Sequence, residues 1–225
     1  MKKVLICLFL LFYAFGISKT EKPVYYKQSN KTGELEKINE FIYSELMLDD
    51  FEATAYSNDN LKFMAGYDRD GVLSVSDQYP APINNSKKYL GVKVYAKIGD
   101  TFQIIPANPI EITKYCKNIS LWVYGEKNAG ELSIVLQDSS GKNHFLHFGR
   151  IASNGWEKIS KNIGHHIKQD IDYPDNKNSL KILHIQYRAV TKKSEPQWQF
   201  FYIDDITATV RDKYLDKVSD KWGKE

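Results

Sequence analysis

Residues 90–97 read Leu-Gly-Val-Lys-Val-Tyr-Ala-Lys, with Leu90, Val92, Val94 and Ala96 on one side of a two-residue alternation and the lysines on the other. Successive strand side chains point to opposite faces, so this stretch predicts a half-buried β-strand and decides against a helix. The same alternation recurs in 131–136, where Leu132, Ile134 and Leu136 form the apolar side. Further strand patterns lie at 46–53, 72–76, 101–105, 119–124, 144–148, 156–162, 180–190 and 197–210. Between them, Ile98-Gly99-Asp100, residues 126–130, Asp138-Ser139-Ser140-Gly141 and Ser153-Asn154-Gly155 supply residues that tolerate positive φ. Many short strands joined by such turns predict an all-β, antiparallel, jelly-roll-like β-sandwich.

Short helical segments are expected at the two ends. Ile38, Phe41, Ile42 and Leu46 allow one apolar helical stripe over 38–48, and Tyr214, Leu215, Val218 and Trp222 allow another in the charged tail. Residues 1–16 (MKKVLICLFLLFYAFG) carry Lys2 and Lys3, an apolar run and small residues at its end, the pattern of a secretory signal peptide that is removed. The expected organisation is therefore a signal peptide at 1–16, an N-terminal arm with a short helix at 17–45, the sandwich at 46–210 and a tail at 211–225.

Cys7 leaves with the signal, so Cys116 has no internal partner and reads as a small buried hydrophobe. The chain has 31 Lys and Arg against 28 Asp and Glu, and loss of Lys2 and Lys3 brings the two nearly level. That balance excludes the basic excess on which nucleic-acid binding rests, and no membrane insertion is expected once the signal is gone.

The run 200–210, Phe-Phe-Tyr-Ile-Asp-Asp-Ile-Thr-Ala-Thr-Val, sets two carboxylates inside a strand. Adjacent strand residues face opposite ways, so Asp204 and Asp205 are no catalytic dyad unless a bulge re-aims one of them. Phe200, Phe201 and Tyr202 place a ring on each face, which calls for cover beyond the chain's own sandwich, such as a neighbouring subunit. Trp122, Trp156 and Trp198 fall in strand patterns and are expected in the core. His144 and His147 stand three apart on a strand and cannot ligate one metal together, and His144, His147, His165, His166 and His184 are expected at or near the surface. The sequence contains no G-x-S-x-G elbow, P-loop or dinucleotide fingerprint. No catalytic residue and no enzyme activity is expected.

Several segments, in order, carry a resemblance: Met47 to Glu52 (MLDDFE), Tyr89-Leu90-Gly91-Val92-Lys93-Val94, Ile119 to Gly125 (ISLWVYG), Leu136 to Gly141 (LQDSSG), Phe148-Gly149-Arg150-Ile151, Asn154 to Ile159 (NGWEKI) and Tyr202-Ile203-Asp204-Asp205-Ile206. In this order the chain resembles the spirochaete flagellar filament outer layer (sheath) protein family, FlaA, over 46–210. The resemblance implies a periplasmic structural protein that coats the flagellin core, alongside other sheath subunits in a homo- or hetero-oligomeric filament. It implies a part in filament stiffness, coiling and motility, and no chemistry.

A different class, carbohydrate-binding modules, shares the expected sandwich and often ties first and last strands through a structural calcium. Asp50, Glu52, Asp204 and Asp205 could supply part of such an oxygen-rich site if the two strands meet. No other cofactor is expected. The alternative function is thus a periplasmic carbohydrate-binding module. For the assembly reading, Trp156, Tyr173 and Trp222 are the expected contact positions, because large rings near loops or the tail anchor interfaces.

Overall fold

The computed structural model describes residues 43–64, 69–83, 86–125, 130–169, 179–190 and 195–213. Among them run β1 (Ser44–Asp49), β2 (Leu61–Phe63), β3 (Asp70–Ser76), β4 (Tyr89–Ala96), β5 (Thr101–Ile104), β6 (Ile110–Ile112), β7 (Tyr115–Gly125), β8 (Glu131–Gln137), β9 (Asn143–Arg150), β10 (Gly155–Asn162), β11 (Leu180–Arg188) and β12 (Gln197–Arg211). One sheet has the order β10-β7-β12-β4-β3, with β1 also beside β12. The other has the order β2-β5-β11-β8-β9, with β6 also beside β11. The pairings are antiparallel, and consecutive strands stay in one sheet only at β3–β4, β5–β6 and β8–β9, every other connection crossing to the opposite sheet. This is the expected jelly-roll-like sandwich.

The alternation read at 90–97 is what builds the core. Leu90, Val92, Val94 and Ala96 are buried, while Lys93 and Lys97 are exposed. They meet Leu132, Ile134 and Leu136 of β8 and Phe201 and Ile203 of β12 in one apolar cluster. Burial of such side chains contributes roughly 1.5–3 kcal/mol each, which lets the sandwich hold without a disulfide. Cys116 is fully buried as expected, and burial pushes its thiol up to about 12.

The described part of the 38–48 helical pattern is strand instead. Leu46 and Leu48 pack against the core while Met47 between them is exposed, a period of two. Ser44–Asp49 pairs with 206–210 of β12, whose free edge satisfies its backbone groups better than an isolated short helix could. Residues 38–42 and the tail pattern from 214 onward lie outside the described residues, as does the signal sequence. Two three-residue strands, β2 and β6, went unread because so short a run shows no period.

Candidate functional site

The outer face of the first sheet is built by β12. Its Gln199, Phe201 and Ile203 point into the core, so Trp198, Phe200 and Tyr202 point out. Register then fills the row: Tyr202 lies opposite Tyr124 on β7 and Gly91 on β4, and Tyr124 lies opposite Trp156 on β10. One step along, Phe200 is opposite Lys93, and Trp198 is opposite Tyr95. Tyr124 and Tyr202 stack at 5.1 Å between centroids, Trp156 meets Tyr124 edge-on at 5.8 Å, and Tyr95 lies against Trp198 at 5.3 Å. The Lys93 ammonium sits 4.6 Å over the Trp198 ring. Below this field the same face turns polar, with Ser120 donating to Ser160 at 3.0 Å beside Thr207.

Trp122, Trp156 and Trp198 are therefore not core residues. Trp122 and Trp156 are half-buried on this outer face and Trp198 is 46 % exposed. A strand pattern fixes that a ring takes one face or the other; it does not say which face is covered. Nor does cover come from outside alone.

Residues 77–83, which leave β3 at one edge of the sheet, run over the outer face to β10 at the opposite edge, and residues 86–88 lie over the same face ahead of β4. At the far reach the Tyr79 carbonyl accepts from Trp156 Nε1 at 3.2 Å. On the way, the Ala81 N–H and the Ser86 hydroxyl donate to one oxygen of Asp204, at 3.3 Å and 2.6 Å. Under this strap Asp204 has no exposed surface, and Tyr89 packs on Tyr202 at 4.7 Å. Prolines 80 and 82 were the sequence signal for an irregular crossing, but not for where it goes.

Asp204 and Asp205 sit at a β-bulge. Asp204 is opposite Trp122 and Thr207 is opposite Ser120, so β12 carries one extra residue against β7 there. At the same place the strand beside β12 changes from β4 to β1. Asp205 takes φ +40, a left-handed conformation that few non-glycine residues adopt. Burial, then the charges of Asp204, Asp50, Glu45 and Glu52, push the Asp205 carboxyl up to about 6. Burial also raises Asp204, against the hydrogen bonds from Ser86, the Asp205 N–H and Ala81.

The four acids proposed for calcium thus share one neighbourhood, where the first and last strands do meet. Asp50, Glu52 and Asp204 are engaged by donors of the protein itself. Glu52 accepts the N–H groups of Lys87 and Lys88, and Asp50 accepts the N–H of Glu52 at 3.1 Å. Among the described residues, no group of three or more His, Cys, Asp or Glu side chains is arranged to hold a metal ion.

Of the expected contact positions, Trp156 is tied to Tyr79 and packed on Tyr89, while Tyr173 and Trp222 lie outside the described residues. His144 departs from the surface expectation. It is buried and its Nε2 is 2.7 Å from Asp138 Oδ2, in the turn between β8 and β9. Burial opposes the Asp138 charge, yet hydrogen bonds from Ser140, His144 and Lys142 hold its carboxyl well below the usual range. His147, on the opposite face, is within 2.8 Å of the Ser133 hydroxyl.

Comparison with known proteins places this geometry. Residues 71–219 match the family model described as flagellar filament outer layer protein FlaA. A flagellar filament outer layer-like protein of Brachyspira hyodysenteriae is 27 % identical over 180 residues, covering 76 % of this chain and 80 % of that protein. Among solved structures, a family 11 carbohydrate-binding module from Clostridium thermocellum, in complex with a β-1,3-1,4-mixed-linked tetrasaccharide, is 14 % identical. It covers 76 % of this chain and 98 % of that one, with a TM-score of 0.49. The module TmCBM61, in complex with β-1,4-galactotriose, is 13 % identical over 72 % of this chain and 91 % of that one, with a TM-score of 0.41. The matched region spans β3 through β12 and includes the strap and the bulge. The chain belongs to the FlaA family of flagellar filament outer layer proteins.

Proposed function

We propose that this protein is a structural, non-catalytic subunit of the outer layer that surrounds the flagellin core of a periplasmic flagellum. The observation that carries the reading is the family match over 71–219, which takes in all the strands of both sheets except β1 and β2, and β3 from its second residue. The signal pattern at 1–16 supports export to the periplasm before assembly. The buried acids support a non-catalytic role, since Asp49, Asp100, Asp138 and Asp204 each accept from protein donors that fasten a turn, a strand end or the strap.

Its partners are the flagellin core and further outer-layer subunits, and its contribution is to filament stiffness, coiling and motility. Exposed apolar side chains suited to such contacts gather around the start of β5, where Phe63, Met64 and Ile98 are each at least 40 % exposed. Met64 is held there by its N–H to the Thr101 carbonyl. Clustered apolar exposure of this kind marks protein contacts more often than solvent-facing surface.

The test is compositional. Outer membranes are stripped from the source cells with detergent, the flagella are isolated and salt-washed, and the protein is quantified against the flagellins by mass spectrometry. Enrichment in step with the flagellins, lost in a flagellin-deficient strain, is the expected result. Recovery only in the soluble periplasm would sink the reading.

A further inference from the structure

We propose that the part of the outer aromatic face left open by the strap is a carbohydrate-binding groove for a neutral chain of hexopyranose units. This goes beyond the outer-layer role and stands or falls separately from it. The groove floor consists of Trp198, Tyr95, Phe200, Tyr202 and Tyr124, with the strap as one wall. Tyr124 and Tyr202 stack on each other, so they offer ring edges, with the phenol oxygens of Tyr124 and Tyr95 for hydrogen bonds, whereas Trp198 offers ring surface of its own. A pyranose has the complementary make-up, with C–H groups for a ring to cover and hydroxyls for phenols to bond.

Three observations select this occupant. The first is charge. Among the described residues, this part of the face carries Lys93, already over Trp198, and Asp70, which accepts the Gly71 N–H, so an anionic ligand would find one ammonium and a nearby carboxylate. The second is the scarcity of aliphatic side chains. Among the described residues, Val72 is the one large aliphatic residue that register places among these rings, whereas a docked helix requires aliphatic holes for its own side chains. The third is spacing. Neighbouring rings of the floor stand 5.1–6.3 Å apart, close to the scale of one sugar ring to the next, and Gly91 leaves a notch beside Tyr202. β12 lies hydrogen-bonded between β7 and β4, so the floor is formed before any ligand arrives.

The experiment uses the full exported chain and a panel of cello-, laminari-, manno- and galacto-oligosaccharides, read by tryptophan fluorescence and calorimetry. At least one member is expected to bind at sub-millimolar concentration. Trp198→Ala and Phe200→Ala are each expected to weaken it at least tenfold, with Phe145→Ala on the other sheet leaving it unchanged. Gly91→Ala guards against misfolding of the ring variants. An added Cβ there meets Ser74, Tyr89 and Tyr202 at 3.4–3.8 Å, ordinary contact, and fills the notch, so it is expected to weaken binding with the fold intact. Absence of binding by every member at millimolar concentration overturns the proposal. So does binding that survives both Trp198→Ala and Gly91→Ala, or sedimentation showing the face closed by a second copy and freed by Trp198→Ala. The flagellar fractionation is unaffected by any of these outcomes.

Discussion

The Tyr187 hydroxyl, on β11, crosses the sandwich to donate a 2.6 Å hydrogen bond to Gln199 Oε1 on β12. The Tyr187 hydroxyl oxygen in turn accepts the Gly130 N–H at 2.6 Å, and the Tyr187 ring stacks on Phe201 at 4.5 Å. One side chain thus ties both sheets and the start of β8. It does so inside a core where unpaired polar groups are expensive.

Tyr187→Phe keeps the ring stack and deletes the tie, leaving the Gly130 N–H and the Gln199 amide short of a partner. The expected loss is about 1–3 kcal/mol in urea unfolding. A loss below about 0.5 kcal/mol would mean that the tie contributes no more than an ordinary surface contact.

The strap depends on Asp204. Asp204→Ala removes the acceptor for Ala81 and Ser86, at an expected cost of about 2 kcal/mol. Limited proteolysis should then cut within 77–83, and tryptophan emission should shift to the red as Trp156 is uncovered. Unchanged protection would show that Trp156 and Glu52 hold the strap without it.

Asp205 gives a pH dependence whose sign is fixed by its raised pKa. Its contribution to stability is fully present below the ordinary value of 3.8 and is lost as pH rises through about 6. Asp138 acts oppositely, since its depressed carboxyl contributes above 3.8 and is lost on further acidification. Thermal unfolding of Asp205→Asn should therefore show a flatter profile between pH 4 and 6 and a higher Tm than wild type at pH 7. Asn tolerates the left-handed backbone there, so strain should not mask the effect. Parallel profiles for the two proteins would refute the assignment.

At the start of β5, Met64→Lys and Ile98→Lys alter exposed positions and should change stability by no more than about 0.5 kcal/mol. Incorporation into isolated flagella should nonetheless fall severalfold if this end of the sandwich meets a neighbouring subunit. Wild-type incorporation would move the contact elsewhere on the surface.

What the sequence determined by itself was local. The alternation at 90–97 and 131–136 dictates strands wherever those residues find partners, and a strand occupies every stretch where that kind of pattern was read. The ordered segments around Gly91, Gly125, Gly141 and Gly155 likewise carried the family without knowledge of the fold. Three matters belonged to tertiary structure alone. The spacing at 38–48 suits a helix, and only the edge of β12, from the far end of the chain, draws its described part into a sheet. Asp204 and Asp205 alternate by rule until β12 exchanges β4 for β1 and bulges. Trp122, Trp156 and Trp198 were legible as strand residues, but their face is set by which neighbours lie across the core and by the strap. Period and turn chemistry act within a few residues, whereas register and cover are set by contacts between segments more than a hundred residues apart, such as Asp204 with Ala81.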